Sequence, residues 1–94
     1  MNFDKAAAAF DTPLRIERAN SLAKAILENW SHRPKTVLDF GCGTGLLSYA
    51  LCPYADIIYG YDTSEGMRKV YEEKKALSRI DNVRFLSAEE LVGQ

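Results

Sequence analysis

Apolar positions in the first third of the chain recur at helical spacing. Ala19, Leu22, Ala23, Ile26, Leu27 and Trp30 fall on one stripe with polar residues between them, which predicts an amphipathic helix turned toward a core. Thr12 can cap that helix and Pro13 suits its first turn. The segment SHRPK, Ser31 to Lys35, ends it, because Pro34 lacks a backbone donor and biases Arg33 away from helical angles. The period then changes. Thr36 to Phe40 (TVLDF) is short, β-branched and apolar on both faces until Asp39, the pattern of a strand buried in a parallel sheet. Leu46 to Cys52 continues as a helix, Pro53 to Asp56 breaks it, and Ile57 to Tyr61 (IIYGY) reads as a second strand ending at Asp62. Ser64 offers an N-cap to a helix carrying Met67, Val70, Tyr71, Lys74 and Leu77. The polar SRIDN leads into a third strand, Val83 to Leu86, and SAEELVGQ begins another helix.

Helix, strand, helix, strand, helix, strand is an α/β order. Right-handed crossovers then give a parallel three-stranded sheet in spatial order 3-2-1 with helices on both faces. No repeat, and no low-complexity stretch beyond Ala6 to Ala9, interrupts it, and no linker divides the chain. The expectation is one domain, in which residues 1–35 form an N-terminal helical segment packing on the sheet and residues 36–94 supply the strands.

Composition narrows the setting. The 94 residues are 47% hydrophobic, enough for a core, although so short a chain buries a limited share of its surface. Twelve basic and 13 acidic side chains give a formal net charge of -1, so no global field draws the chain to nucleic acid or anionic lipid. Arg68, Lys69, Lys74, Lys75 and Arg79 cluster on the third helix, but Glu72 and Glu73 are interleaved with them, as on a solvated helix face. No apolar run approaches a membrane span, and the N-terminus carries Asp4 where a signal peptide would be basic. The chain therefore reads as cytoplasmic. Cys42 and Cys52 are ten residues apart, a spacing of neither a CxxC redox pair nor a zinc site, so packed, reduced thiols and no metal are expected. His32 stands alone in the first connection, and the five tyrosines read as packing residues rather than an aromatic cage.

The chemistry concentrates in VLDFGCGTGLLSYAL, Val37 to Leu51, where Gly41, Gly43 and Gly45 alternate just after the first strand. Ligands of open α/β sheets bind outside the carboxyl ends of the strands. Glycines there permit unusual backbone angles and let a ligand lie against bare peptide groups. A dinucleotide fingerprint, G-x-G-x-x-G, would place its last glycine at position 46, which is Leu46. The order is instead D-x-G-x-G-x-G, and the carboxylate of Asp39 would repel a pyrophosphate and favour a cation. Asp62 follows Gly41 by 21 residues at the end of the second strand, where an acid can accept hydrogen bonds from ribose hydroxyls or cap the next helix.

This stretch resembles the first motif of the class I methyltransferases that use S-adenosylmethionine (SAM). The resemblance runs from about Phe10 to Leu91. It extends to GYDTSEGM, similar to the family's second-strand acid and helix start, and to NVRFLSAEEL, similar to its third strand and adenine-side loop. FDTPLRIERANSLAKAI is similar to the helix that often precedes the SAM domain in small-molecule methyltransferases. The resemblance implies the first half of a Rossmann-like αβα sandwich. Its cofactor residues would be Asp39 at the methionine end, the turn Gly41, Cys42, Gly43 and Gly45, Asp62 at the ribose, Thr63 and Met67 near the adenine, and Ser87 with the backbone N–H of Ala88 at the ring. The family usually has an apolar residue where Thr63 stands and often an acid where Ser87 stands. S-adenosylhomocysteine would be the product.

In that family the strand beside strand one, the substrate pocket and any general base come from the second half of the sheet. Strand one is then expected as an exposed edge, with no general base to name and a small-molecule acceptor as the expected substrate. An alternative is a non-catalytic SAM-binding or assembly module that dimerises through strand one. A third is half of a nicotinamide-dependent oxidoreductase, against which Leu46 and Asp39 both speak.

Overall fold

The computed structural model describes residues 9–93. The start of the chain, with Asp4 and most of the alanine run, lies outside the described residues. Helix α1 (Pro13–Glu28) starts as the sequence implies: the Thr12 hydroxyl accepts from the Arg15 N–H at 3.3 Å, and Pro13 occupies the first turn. Strands β1 (Thr36–Phe40), β2 (Ile57–Tyr61) and β3 (Val83–Phe85) alternate with helices α2 (Leu46–Leu51), α3 (Glu65–Ser78) and α4 (Ala88–Val92). Pro53 sits in a short 3-10 turn, Cys52–Tyr54, that finishes α2. Ser64 caps α3, accepting from the Met67 N–H at 3.2 Å.

The sheet is parallel in the order β1-β2-β3, the order 3-2-1 read from its other edge. Register aligns Val37 with Ile58 and Ile58 with Val83, and Asp39 with Gly60 and Gly60 with Phe85. Those positions share one face, because side chains alternate along a strand. On it Ile58, Val83 and Phe85 are buried with Leu51, Cys52, Ala55 and Tyr71, and Ala23 of α1 joins them. Fully burying a side chain such as Ile58 stabilises the fold by about 1.5–3 kcal/mol. The opposite face carries Leu38, Phe40, Tyr59, Tyr61 and Arg84, and Phe40 is 71% exposed. Helices were expected on both faces; α1, α2 and α3 contribute to the core on the Ile58 face, whereas Glu90 of α4 pairs with Arg84 on the opposite face. For α2 and α3 the reason is geometric: right-handed crossovers that step in one direction across a sheet place their helices on the same side.

The apolar stripe of α1 also divides. Ala23, Ile26, Leu27 and Trp30 pack at the core, whereas Ala19 and Leu22 face a cavity beside the glycine turn. At the other end of the sheet, Arg33 donates to the Asp56 carboxylate (2.8 Å) and to the carbonyls of Pro53 (2.9 Å) and Ala55 (2.6 Å). Asn82 donates to the carbonyls of Cys52 (2.7 Å) and Ala55 (3.2 Å). These bonds close the amino ends of the strands and leave the carboxyl ends to shape a site.

Candidate functional site

The turn between β1 and α2 is built from backbone angles that side chains resist. Gly41, Gly43 and Gly45 have φ of 75°, 56° and 92°, all in the left-handed region where only glycine is comfortable. The turn hangs from the end of β2, since the N–H groups of Gly41 (2.7 Å) and Cys42 (2.9 Å) both donate to the Tyr61 carbonyl. Its glycines then separate in role. A Cβ on Gly41 would meet nothing within 4 Å, and one on Gly43 would reach only the Met67 sulfur at 4.0 Å. On Gly45 a Cβ would lie 2.6 Å from the Tyr71 ring and 2.8 Å from that of Tyr49. Gly41 and Gly43 keep the ligand side bare, while Gly45, with Gly60 of β2 behind it, admits Tyr71 to the core.

A cavity of about 450 Å³ opens beside this turn, within the range of small-ligand pockets. Asp39, Gly41, Cys42, Gly43 and Met67, all sequence-expected cofactor residues, line it together with Thr44. Gly45 lies beneath it, against the tyrosines. Asp62 stands at the turn without lining the cavity: its two oxygens accept from the N–H groups of Gly43 and Ser64, each at 2.9 Å. A carboxylate has about four acceptor sites, so capacity remains for further donors. Thr63 is exposed in the β2–α3 connection. Ser87 and Ala88 stand at the start of α4 and do not line the cavity. Ser87 is the N-cap of a capping box there, accepting from the Glu90 N–H (3.1 Å) while its own N–H donates to the Glu90 carboxylate (3.0 Å). That bond and the neighbouring arginines hold the Glu90 carboxyl below its ordinary range.

Electrostatics follow from burial. Asp39 accepts from the Ser48 hydroxyl at 2.7 Å. Burial holds its carboxyl above the usual range, the Ser48 bond offsets part of that, and the charge of Asp62 adds to the rise. Burial likewise pushes the Cys42 thiol up to about 12, with the Asp39 and Asp62 charges adding to the effect. Such a thiol is protonated at neutral pH and is no nucleophile. His32 hydrogen-bonds to Ser31 in the exposed α1–β1 connection and does not line the cavity. Among the described residues no group of His, Cys, Asp and Glu could hold a metal ion, and no helix is long and apolar enough to cross a membrane.

The part of the cavity lining that comes from the N-terminal segment was not anticipated from the sequence. Phe10, Arg15, Arg18, Ala19 and Leu22 complete the cavity. Arg15 and Arg18 are three apart on a helix, hence on one face, and that spacing was the available signal. The lining of the site thus combines a carboxylate and bare peptides with two arginines. This suits a zwitterionic molecule, its cationic part toward Asp39 and an anionic part toward the arginines.

Comparison with known proteins identifies the family. Residues 37–91 match the family described as methyltransferase domain. The chain is 41% identical over 68 residues to an uncharacterised methyltransferase of Schizosaccharomyces pombe, covering 68% of this chain and 24% of that protein. It is 32% identical over 69 residues to a probable S-adenosylmethionine-dependent methyltransferase of Saccharomyces cerevisiae, covering 72% of this chain and 24% of that protein. The chain therefore spans about a quarter of the length of the curated relatives it matches. Among solved structures, magnesium protoporphyrin IX methyltransferase of Synechocystis with bound S-adenosylhomocysteine superposes with a TM-score of 0.61 at 25% identity, over 76% of this chain and 33% of that one.

Proposed function

This chain belongs to the methyltransferase domain family, and from that premise we propose that it forms the SAM-binding part of a cytoplasmic enzyme that methylates a small-molecule acceptor. The observation that carries the reading is the turn itself: left-handed glycines open toward a cavity lined by Asp39 and by Arg15 and Arg18. SAM, when bound, supplies a methyl group on a cationic sulfur. Asp39 would hold the ammonium and offset the sulfonium charge, and the arginines would take the carboxylate. Asp62 would accept from the ribose hydroxyls while its bonds to Gly43 and Ser64 keep it aimed. Gly41, Cys42 and Gly43 would lie against the ligand, with Met67 and Thr63 toward the adenine and Ser87 and Ala88 at its far edge. No general base is assigned, because methyl transfer needs an acceptor aligned behind the sulfonium.

Calorimetric titration with S-adenosylhomocysteine tests the reading; saturable binding supports it, and none by a cooperatively folded chain sinks it. The exposed edge strand β1, with Leu38 half-exposed and Phe40 mostly so, favours a second reading in which two copies pair through that strand. Sedimentation separates the two, since pairing gives one stable dimer.

A further inference from the structure

The cavity wall supplied by Phe10 and α1 lies outside the stretch matched by the family, residues 37–91, so something must hold it against the turn. One residue does so from the end nearest the site. Asp11, immediately before the Thr12 cap, has a side chain only 9% exposed. One of its oxygens accepts from the hydroxyl of Thr44, within the glycine turn. Its other oxygen pairs with the ammonium of Lys74 on α3 at 2.5 Å, and that side chain is 14% exposed. Lys74 also sits over the Tyr49 ring, 5.8 Å from its centroid. Three elements meet at a single carboxylate: the start of α1, the turn and α3.

We propose that Asp11 is a positioning residue for the cofactor cavity, locking the Phe10 and Arg15 wall onto the glycine turn so that cofactor binding and docking of this N-terminal segment stabilise each other. The proposal rests on the SAM reading above. Each contact has a partner in the cavity: Thr44 lines it directly, α3 carries Met67 into it, and Phe10 flanks Asp11. Arg15 is fixed by the same corner, donating to the Phe10 carbonyl at 2.9 Å. Coupling of this kind is reciprocal, because whatever the ligand gains from a docked wall the wall gains from the ligand.

The test uses the purified chain, S-adenosylhomocysteine as the probe, and the variants Lys74→Met, Asp11→Asn and the two combined. Removing one partner strands a buried charge and can unfold the chain, whereas removing both leaves none. The double variant is therefore expected to fold and to bind about tenfold more weakly, the two changes being non-additive because they break one contact. On the parent chain, saturating ligand should slow hydrogen exchange at the amides of residues 10–16, and this protection should vanish in the double variant. Parental affinity in a folded double variant, or no protection of those amides by a ligand that does bind, overturns the proposal. Should the double variant fail to fold, the exchange experiment on the parent decides alone. Failure of the parent to bind at all counts instead against the cofactor reading and removes the proposal with it.

Discussion

Gly41 and Gly45 look equivalent in the sequence, but substituting each by alanine should have different consequences. At Gly45, φ of 92° penalises any L side chain by about 1–2 kcal/mol. The new methyl would also stand 2.6 Å from Tyr71 Cδ2 and 2.8 Å from Tyr49 Cε2. Neither ring can retreat, because Tyr71 is buried against Phe85 and Gly60 and its ring also packs on Tyr49. Overpacking of that kind adds about 1–3 kcal/mol, so Gly45→Ala should cost about 2–5 kcal/mol in all. In a domain of this size that lowers Tm by about 8 °C or more. At Gly41 only the backbone penalty of about 1–2 kcal/mol applies, since nothing lies within 4 Å of the added carbon. That carbon enters the ligand's space, so Gly41→Ala should retain most of its stability and lose S-adenosylhomocysteine affinity. Urea unfolding and calorimetry on both variants give the two axes. Equal destabilisation by the two substitutions, or undiminished affinity in Gly41→Ala, would refute the division of roles.

Asp62→Ala removes charge-assisted hydrogen bonds worth about 1.5–3 kcal/mol, so affinity should fall by about one to two decades; unchanged affinity in a folded variant would remove Asp62 from the ribose. Asp39→Asn should raise stability and lower affinity together. Because burial holds the Asp39 carboxyl above its ordinary value of 3.8, its protonated form favours folding below that value, and the contribution is lost as pH rises through the folded pKa. The variant should therefore outlast the parent in urea at neutral pH, the gap closing in acid, while binding weakens with loss of the charge; a variant less stable at neutral pH would contradict the desolvation argument. With its thiol near 12, Cys42 has about one thiolate in ten thousand at pH 8, so iodoacetamide should modify it far more slowly in the native chain than in urea. Equal rates would mean that the thiol is not held in the core.

The ends of β1 and β2, the Thr12 and Ser64 caps and the break at Pro53 were legible because each depends on neighbours in sequence, whereas β3 stops at Phe85, one residue short of the expected Leu86. The turn at Gly41, Gly43 and Gly45 was legible for the same reason, since left-handed backbone announces itself as glycine. What the sequence hid depends on distance. Asp11 meets Thr44 and Lys74 across long stretches of chain, and Gly45 needs its hydrogen because a tyrosine from α3 passes above it. Ser87 was read for a ligand role, and the structure shows the capping box that S-x-x-E at Ser87 to Glu90 also encodes. Arg15 and Arg18 share a helix face with Ala19 and Leu22, and nothing local shows that this end of the stripe meets a cavity rather than the core.

The most direct measurement is calorimetric titration of the folded chain with S-adenosylhomocysteine, with NADH as the control ligand. Saturable binding of the homocysteine compound alone, weakened by Asp62→Ala, is the result expected if the glycine turn and its two acids form a SAM site. Binding of NADH instead, or of neither ligand by a chain that unfolds cooperatively, would contradict it.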